Sequence, residues 1–336
     1  MTRGNNLNNV QKAAYELIQE DARFIYAIIN IWKNANNISG NYVGMSMPYI
    51  GLFADGAEQW GKKIRLNAPS FNAVEKSYYT QLRQSHKLFE KSYDDYYTLL
   101  IEKFSESENY FYSIRRFREK ILGYFNVGTD LCNEEYCGNT ILCSMYTPIK
   151  VWGNKNAGLW LKNMSIVAGK LASHFGCAEF PVYKYDNNLT VKYKDYHFYK
   201  CSPLKVNNGF GILLFSILCS INYVIEFIEN CFTEEIPQKF KYAYLQYYYL
   251  CGFIKELNAK NGTNLSLDDH LYDRNFRNCL AHYGLGQYIR EDEIIPDDIL
   301  KGLTNKAFGK DYFTTKDQLY GMLRTLTEQI KETVLR

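Results

Sequence analysis

Hydrophobic residues recur at helical spacing over most of the chain. Residues 10–34 place apolar side chains three and four positions apart, which predicts an amphipathic helix. Similar patterns predict a long helix over about 70–104, a further helix over about 108–125 and another over about 159–175. The fold class expected from this pattern is mostly α-helical.

Three stretches lack helical periodicity. Residues 39–56, SGNYVGMSMPYIGLFADG, are rich in glycine and predict a loop. Residues 126–158 carry turn-forming residues throughout. In residues 181–200, polar and apolar positions alternate on both sides of Asp186, Asn187 and Asn188, which predicts a small β-hairpin.

Helix follows helix with short connections from about residue 206 to the C-terminus. Short connections make sequential helices antiparallel neighbours, so the pattern predicts a bundle of four or five helices. We therefore expect a bundle over 206–336, preceded by an N-terminal helical region, 1–205, that carries the hairpin and serves in sensing, regulation or substrate docking.

Helix ends within this bundle can be read from single residues. Pro237 should open a helix, because proline is tolerated in the first turn, and Gly262 should end it. Ser266 and Asp269 resemble a capping box that starts the next helix, which should end at Gly284 in the left-handed conformation. A short helix should follow Pro296, and a last helix should begin at Thr315 and run to about residue 334.

One segment raises the question of a membrane span. Residues 212–228 are apolar and nearly long enough to cross a bilayer. Asn222 and Glu226 lie within the segment, however, and it lacks a basic cluster or aromatic belt at both ends. We therefore expect a central helix of the bundle and no contact with a membrane.

Charge and cysteine content narrow the class of protein. The 336-residue chain has a formal net charge of only +3, so any nucleic-acid site must be local. The N-terminus is polar and lacks the apolar core of a signal peptide. Nine cysteines at irregular spacings do not suggest a disulfide framework, so we expect reduced thiols and a cytoplasmic location.

The stretch NFRNCLAHYG, residues 275–284, contains one of only five histidines in the chain. With about 100° of rotation per residue, a helix here has one polar face and one apolar face. The polar face carries Arg274, Arg277, Asn278, Ala281 and His282. The opposite, core-facing side carries Tyr272, Phe276, Cys279, Leu280 and Tyr283. The small Ala281 should leave room for a ligand between Arg277 and His282.

Arginine and histidine together suit phosphate chemistry. The guanidinium of Arg277 can bind phosphate oxygens with two hydrogen bonds. His282 can transfer a proton near neutral pH, and its place in the last helical turn should favour the protonated form. The pair meets the needs of RNA cleavage by the RNA's own 2′-hydroxyl, with no metal or cofactor. The alternative is an ordinary amphipathic surface helix with an ion pair between Asp273 and Arg277.

The segment FRNCLAHYG resembles the signature of the HEPN superfamily, in which Arg, a polar residue, three variable positions and His lie in a small helical bundle. Arg277, Asn278 and His282 match the motif, and Ala281 matches the common small residue before His. The resemblance covers residues 206–336. It implies a metal-independent endoribonuclease in which Arg277 contacts the phosphate, His282 transfers a proton and Asn278 orients the imidazole.

The resemblance also implies partners. Members of the superfamily often act on RNA in toxin–antitoxin, abortive-infection or CRISPR defence, as homodimers that pair two motifs, so an antitoxin or defence-system partner is expected. Some toxin members carry a modified tyrosine two residues after the histidine, where this chain has Gly284. Other members are non-catalytic modules that bind nucleotide or RNA or assemble complexes, which is the alternative function. A helical interaction protein without a site is a third.

Further candidates come from helix geometry and local composition. Arg274 could supply a second phosphate contact one turn before Arg277. The segment SIRRFREK interleaves basic residues with Phe117, a pattern that can dock RNA but is also typical of a solvated helix face. Its basic residues are Arg115, Arg116, Arg118 and Lys120, and the hairpin segment adds Lys184, Lys192 and Lys194.

Cysteines suggest a weaker alternative. Cys132, Cys137 and Cys143, with His174 or Cys177, could bind zinc, but their spacing is wider than zinc sites usually show. We therefore expect buried thiols and no metal site. The sequence contains no GxxxxGKS/T, HExxH or GxSxG motif, so it does not support a P-loop NTPase, a zincin or an α/β-hydrolase.

Overall fold

The computed structural model of the chain describes residues 7–34, 41–66, 69–121, 126–148, 150–176, 183–197, 203–206, 208–295 and 298–335. Helices make up most of them, which confirms the mostly α-helical class. The helices are α1 Asn9–Asn34, α2 Asn41–Lys63, α3 Ala73–Gln84, α4 Tyr93–Ile114, α5 Phe117–Ile121, α6 Thr140–Tyr146, α7 Ala157–Phe175, α8 Gly209–Asn222, α9 Glu229–Cys231, α10 Pro237–Asn261, α11 Arg274–His282, α12 Ile299–Phe308 and α13 Tyr312–Val334.

A small antiparallel sheet has the strand order β2–β1–β3. Strands β1 (Asn126–Cys132) and β2 (Glu135–Asn139) form a hairpin, and β3 (Lys192–His197) pairs with the other edge of β1. The hairpin turn holds Asn133 and Glu134, both with positive φ, as a two-residue hairpin turn requires. A hairpin is therefore present, but it is not the predicted one. Residues 186–188 do form a turn, with the Leu189 amide donating to the Asp186 carbonyl at 3.3 Å, yet the segments on its two sides do not pair, because β3 pairs with β1 and Tyr185 bridges Phe232.

From Asn41 onward, the glycine-rich segment predicted to be a loop is helix α2, so this prediction is wrong; residues 39 and 40 lie outside the described residues. Its glycines lie where other elements approach closely. A Cβ atom added at Gly44 would lie 2.7 Å from Cys143 Cβ, and one at Gly56 would lie 2.5 Å from the carbonyl oxygen of Ala281. Gly51 lies against the backbone of Leu82 in the same way. Glycine serves here to bring helices together and not to form turns, and α2 is buried along nearly its whole length.

The long helix predicted over 70–104 is interrupted. Helix α3 is capped at Asn72, whose side chain accepts from the Glu75 amide at 2.9 Å. A short 3-10 helix, Ser85–Glu90, then turns the chain before α4 begins at Tyr93. Helix α4 continues to Ile114, so the helix predicted over 108–125 is, as far as Ile121, the end of α4 followed by the short α5; residues 122–125 lie outside the described residues. The predictions for residues 10–34 and 159–175 are confirmed by α1 and α7.

The apolar segment in the C-terminal half is a core helix. Helix α8 continues through one π-helical turn, Tyr223–Ile228, into α9. The combined helix, Gly209–Cys231, is long and apolar enough to cross a bilayer. Within its 18-residue apolar stretch, however, 94% is buried inside the protein. This burial supports the prediction of a central bundle helix.

The ends of the other C-terminal helices follow the predictions in part. Helix α10 begins at Pro237 and ends before Gly262, which has a φ of 64°, as predicted. Helix α12 begins after the cap Asp298; Pro296 lies outside the described residues. Helix α13 begins three residues before Thr315, because Asp311 caps it by accepting from the amide of Thr314 at 3.0 Å.

Side chains on the two sides of the predicted boundary at residue 205 form hydrogen bonds with each other, so residues 1–205 and 206–336 are closely packed together. The carboxylate of Asp21 in α1 is 1% exposed and accepts hydrogen bonds from Gln238 (2.9 Å), Lys241 and Tyr283. These partners belong to α10 and to the residue that ends α11. Helix α1 is thereby tied to the segment that carries the predicted motif.

Candidate functional site

Helix α11 is shorter than predicted. It begins at Arg274, where Asp273 caps it by accepting from the Phe276 amide at 2.6 Å, so the predicted start at Ser266 is wrong. Residues before it are held in an irregular path by tyrosines of α10: Tyr247 donates to the Asp268 carbonyl at 2.9 Å. The left-handed residue at the end of the helix is Tyr283, with a φ of 53°, and not Gly284.

The apolar face of α11 agrees largely with the prediction. Phe276, Cys279, Leu280 and Tyr283 are buried, whereas Tyr272 precedes the helix and is 50% exposed. Ala281 is 0% exposed, because its carbonyl lies against Gly56 of α2. The expected space for a ligand over Ala281 is therefore filled by α2. A ligand would have to approach the polar residues of α11 from beside α2 and not over Ala281.

Arg277 and His282 lie side by side. The guanidinium NH1 of Arg277 is 3.4 Å from Nε2 of His282. The Arg277 guanidinium also lies over the rings of Tyr248 and Tyr249, at 5.1 and 5.5 Å from their centroids. Asp273 caps the helix, and the described residues show no ion pair between it and Arg277, so the predicted alternative of a surface pair is wrong.

Two nitrogen atoms of this pair have no hydrogen-bond partner. Nε of Arg277 and Nδ1 of His282 are buried, and neither contacts an acceptor or donor among the described residues. Buried polar atoms are normally satisfied, so these two nitrogen atoms would gain hydrogen bonds from water or from a bound molecule. The arrangement leaves hydrogen-bonding capacity on both members of the pair.

Residues from the N-terminal region complete the surroundings of His282. His86 belongs to the 3-10 helix, is 6% exposed, and has Nε2 3.8 Å from Oδ2 of Asp55 in α2. The Asp55 carboxylate accepts from Nε of Arg83 at 2.7 Å and from Gln59 at 2.5 Å. His86 and Asp55 were not identified from the sequence, because no local motif connects them to residues some 200 positions later.

The charge state of His282 differs from the prediction. Burial lowers the pKa of His282 below its ordinary value, the positive charge of Arg277 lowers it further, and Asp55 and Glu90 only partly oppose them. Burial likewise lowers the pKa of His86. The expectation that the helix C-terminus would favour the protonated form is wrong, since desolvation outweighs the helix dipole. A neutral His282 at pH 7 can accept a proton.

A cleft gives access to His282. It lies between α1, α2 and the end of α11 and has a volume of about 700 Å³. Asn278, His282, Gln59, Lys63 and Gln11 contribute polar groups to its lining, and Trp60 contributes an aromatic wall. This volume is within the roughly 300–1,000 Å³ typical of small-molecule sites, so the cleft can hold part of a nucleotide chain.

Of the other predicted binding residues, Arg274 lies near this site and the basic segment around Phe117 lies away from it. Arg274 is exposed at the start of α11, one turn from Arg277. The four basic residues of this segment follow the C-terminal end of α4 and continue into α5: Arg115, Arg116, Arg118 and Lys120. Tyr249 stacks near Phe89, which precedes the first turn of α4, and a 22-residue helix is about 33 Å long. The basic segment therefore lies at the opposite end of α4 from Phe89 and Tyr249, which pack near Arg277.

The remaining candidates show structural roles. Cys132, Cys137 and Cys143 donate to backbone carbonyls at 3.9, 3.3 and 3.0 Å. Cys177 lies outside the described residues. Within the described ranges, no group of three or more His, Cys, Asp or Glu could hold a metal ion. Lys192 pairs with Glu134 across the sheet.

No protein-family model, curated protein sequence or solved structure matches the chain. The resemblance of the Arg277–His282 segment to the HEPN signature therefore stays a prediction from the motif, and function must be argued from the geometry of the site.

Proposed function

We propose that the chain is a metal-independent endoribonuclease of the HEPN type, with Arg277 and His282 as its catalytic residues. The observation that carries the proposal is their 3.4 Å contact beside a cleft, with a buried nitrogen of each left unpaired. Oxygen atoms of an RNA strand would supply acceptors for the unpaired Nε of Arg277 and the unpaired Nδ1 of His282, and a ribose 2′-hydroxyl would supply a proton to Nε2 of His282.

The protonation state of His282 supports a role as general base. Arginine can only donate, so its contact with Nε2 requires a lone pair there and places the proton of the neutral imidazole on Nδ1. When the guanidinium turns towards the non-bridging phosphate oxygens, Nε2 becomes free to take the proton of the 2′-hydroxyl. The depressed pKa of His282 keeps this lone pair available at neutral pH.

The proposed reaction is internal transfer at phosphorus. The 2′-oxygen attacks the adjacent phosphorus and releases its proton to His282, while Arg277 stabilises the added negative charge. The bond from phosphorus to the 5′-oxygen breaks, and the protonated imidazole returns its proton to the leaving oxygen. The products are a 2′,3′-cyclic phosphate end and a 5′-hydroxyl end, so no water, metal or oxidant is consumed.

Neighbouring residues would assist binding. Asn278 lines the cleft one turn before His282 and would orient the ribose or the imidazole. Arg274 would contact a neighbouring phosphate. By the same resemblance, we propose a homodimer through residues 206–336, a cytoplasmic location, and a role in a toxin or phage-defence system with an antitoxin or other partner.

The test is cleavage of total tRNA and of a mixed RNA pool in EDTA, with analysis of the ends. We expect cleavage by the native protein, a loss of at least a hundredfold in His282→Ala and in Arg277→Ala, and full activity in His270→Ala. His270 is a matched control, because it is 42% exposed at its side chain and pairs only with Asp268. Equal cleavage by native protein and His282→Ala would refute the assignment. RNA binding that weakens in Arg277→Ala without turnover would identify the non-catalytic alternative.

A further inference from the structure

A second cavity lies in the N-terminal region, between α2, α6 and the start of α7. Its volume is about 120 Å³. Trp152, Trp160 and Leu161 form much of the wall, and Ser144, Thr147 and Asn41 add polar groups. The residues that bind or react in the proposed function take no part in it.

Two hydrogen-bonding groups of this cavity are unpaired. Oγ of Ser144 and Nε1 of Trp152 are buried and have no hydrogen-bond partner, and Ser144 is 2% exposed. By contrast, Trp160 donates to Gln81 at 2.7 Å, and Thr147 donates to the Cys143 carbonyl at 2.7 Å. The indole nitrogen is a donor only, so the molecule that satisfies it must present an acceptor.

The size of the cavity favours a flat group. Sites for drug-sized ligands usually occupy roughly 300–1,000 Å³, well above this volume, so only one ring system can enter. Indole walls attract planar aromatic rings by stacking, worth roughly 1–3 kcal/mol per base in nucleic-acid complexes. A heteroaromatic ring with acceptor atoms fits both the walls and the unpaired donors.

Positive charge lies next to the cavity. Trp152 packs against Tyr110 and Phe111 near the end of α4, with ring centroids 5.9 and 4.9 Å apart. Arg115 follows Phe111 by four residues and therefore lies one turn further along the same face. Its Nε is also buried without a hydrogen-bond partner. Arg116 and Arg118 extend the charge to the surface.

We propose that this cavity binds the base of a nucleotide, with Trp152 and Ser144 as hydrogen-bonding partners of the base and Arg115 as the partner of its phosphate. The site is separate from the Arg277–His282 pair. The same chemistry would recognise a free nucleotide that signals to the protein or one nucleotide of an RNA strand that docks on it.

Binding is measured on the full chain carrying Arg277→Ala and His282→Ala, so that the proposed nuclease site contributes little and its failure does not affect the result. Probes are the four nucleoside 5′-monophosphates, the four corresponding nucleosides, inorganic phosphate and an eight-nucleotide single-stranded RNA. Calorimetry and tryptophan fluorescence report binding. We expect at least one monophosphate to bind about tenfold more tightly than its nucleoside or than phosphate alone.

Matched variants locate the ligand. Ser144→Ala and Trp152→Phe should each weaken binding about three- to tenfold, because each removes an unpaired donor while keeping the fold. Thr147→Val should change it less than twofold, since that hydroxyl is already satisfied by Cys143. Arg115→Ala should abolish the advantage of the monophosphate over the nucleoside.

The binding results distinguish a site for a free nucleotide from a docking site for an RNA strand. Tighter binding of the monophosphate assigns the cavity to a free nucleotide, and tighter binding of the RNA assigns it to strand docking; both support a base site. The proposal is overturned if no nucleotide or RNA binds, if phosphate alone binds as well as the nucleotide, or if neither Ser144→Ala nor Trp152→Phe weakens binding in a protein that still melts cooperatively.

Discussion

Because Gly56 of α2 contacts the backbone of α11, we predict that replacing it by alanine destabilises the protein, whereas the same substitution usually stabilises a helix. Replacing glycine by alanine inside a helix normally stabilises a protein by up to about 1 kcal/mol, because glycine has more conformational freedom to lose. At Gly56 the added methyl group would lie 2.5 Å from the Ala281 carbonyl oxygen and 3.0 Å from Cε2 of Tyr283.

The magnitude follows from these distances. Carbon and carbonyl oxygen normally approach to about 3.3–3.6 Å, so α2 and α11 must separate by about 1 Å. The obstacle is backbone and cannot rotate away, and α2 is held at Gly44 and Gly51 by similar contacts. Overpacking of this kind costs about 1–3 kcal/mol. Gly56→Ala should therefore be about 1–3 kcal/mol less stable than a glycine-to-alanine change at an open helix position, and it should lower the free energy of unfolding of the native protein by up to about 2 kcal/mol.

The assay is urea unfolding followed by tryptophan fluorescence. Gly252→Ala and Gly321→Ala are matched controls, because both glycines are exposed within helices and an added Cβ would contact nothing within 4 Å. They should raise the unfolding free energy by up to about 1 kcal/mol. Gly56→Ala should also reduce RNA cleavage, since the displaced Ala281 precedes His282. A Gly56→Ala protein as stable as Gly252→Ala would refute the close packing of α2 on α11.

Three further predictions concern buried charges. Asp21→Ala should lower the unfolding free energy by about 3–5 kcal/mol in urea titration, because it leaves the buried Lys241 unpaired; an effect below 1 kcal/mol would contradict this. Arg277→Gln should raise the pKa of His282 in an NMR titration of the imidazole, because the second cause that lowers this pKa is removed; an unchanged or lower pKa would contradict the contact. The unfolding free energy should fall as pH decreases from 7 to 5.5, because the folded-state pKa values of His86 and His282 lie below those of the unfolded chain, which therefore binds more protons. Replacing His86 by phenylalanine should make this fall smaller.

Helices with a clear amphipathic period were predictable from the sequence, whereas a helix whose glycines lie at close contacts with other elements was not. Helices α1, α7 and α10 show the expected spacing or the expected first and last residues. Helix α2 does not show the expected spacing. Its glycines allow close contacts with Cys143, Leu82 and Ala281, and these contacts exist only in the folded chain. A glycine in a turn and a glycine at a helix crossing look the same in a single sequence.

The same limit applies to the candidate site. The spacing correctly placed Arg277 and His282 on one helix, but it predicted space for a ligand between them. In the structure α2 covers Ala281, and the two side chains are in direct contact, with 3.4 Å between NH1 and Nε2. Their environment could not be predicted, since it is made by His86, Asp55 and Glu90 from a region that no local motif connects to α11. The predicted direction of the pKa shift of His282 was wrong for this reason. The effect of the helix dipole on the pKa acts within one turn, so it can be predicted from the position of a residue in its helix. Desolvation depends on residues that only the tertiary structure brings near. For His282, desolvation has the larger effect on the pKa.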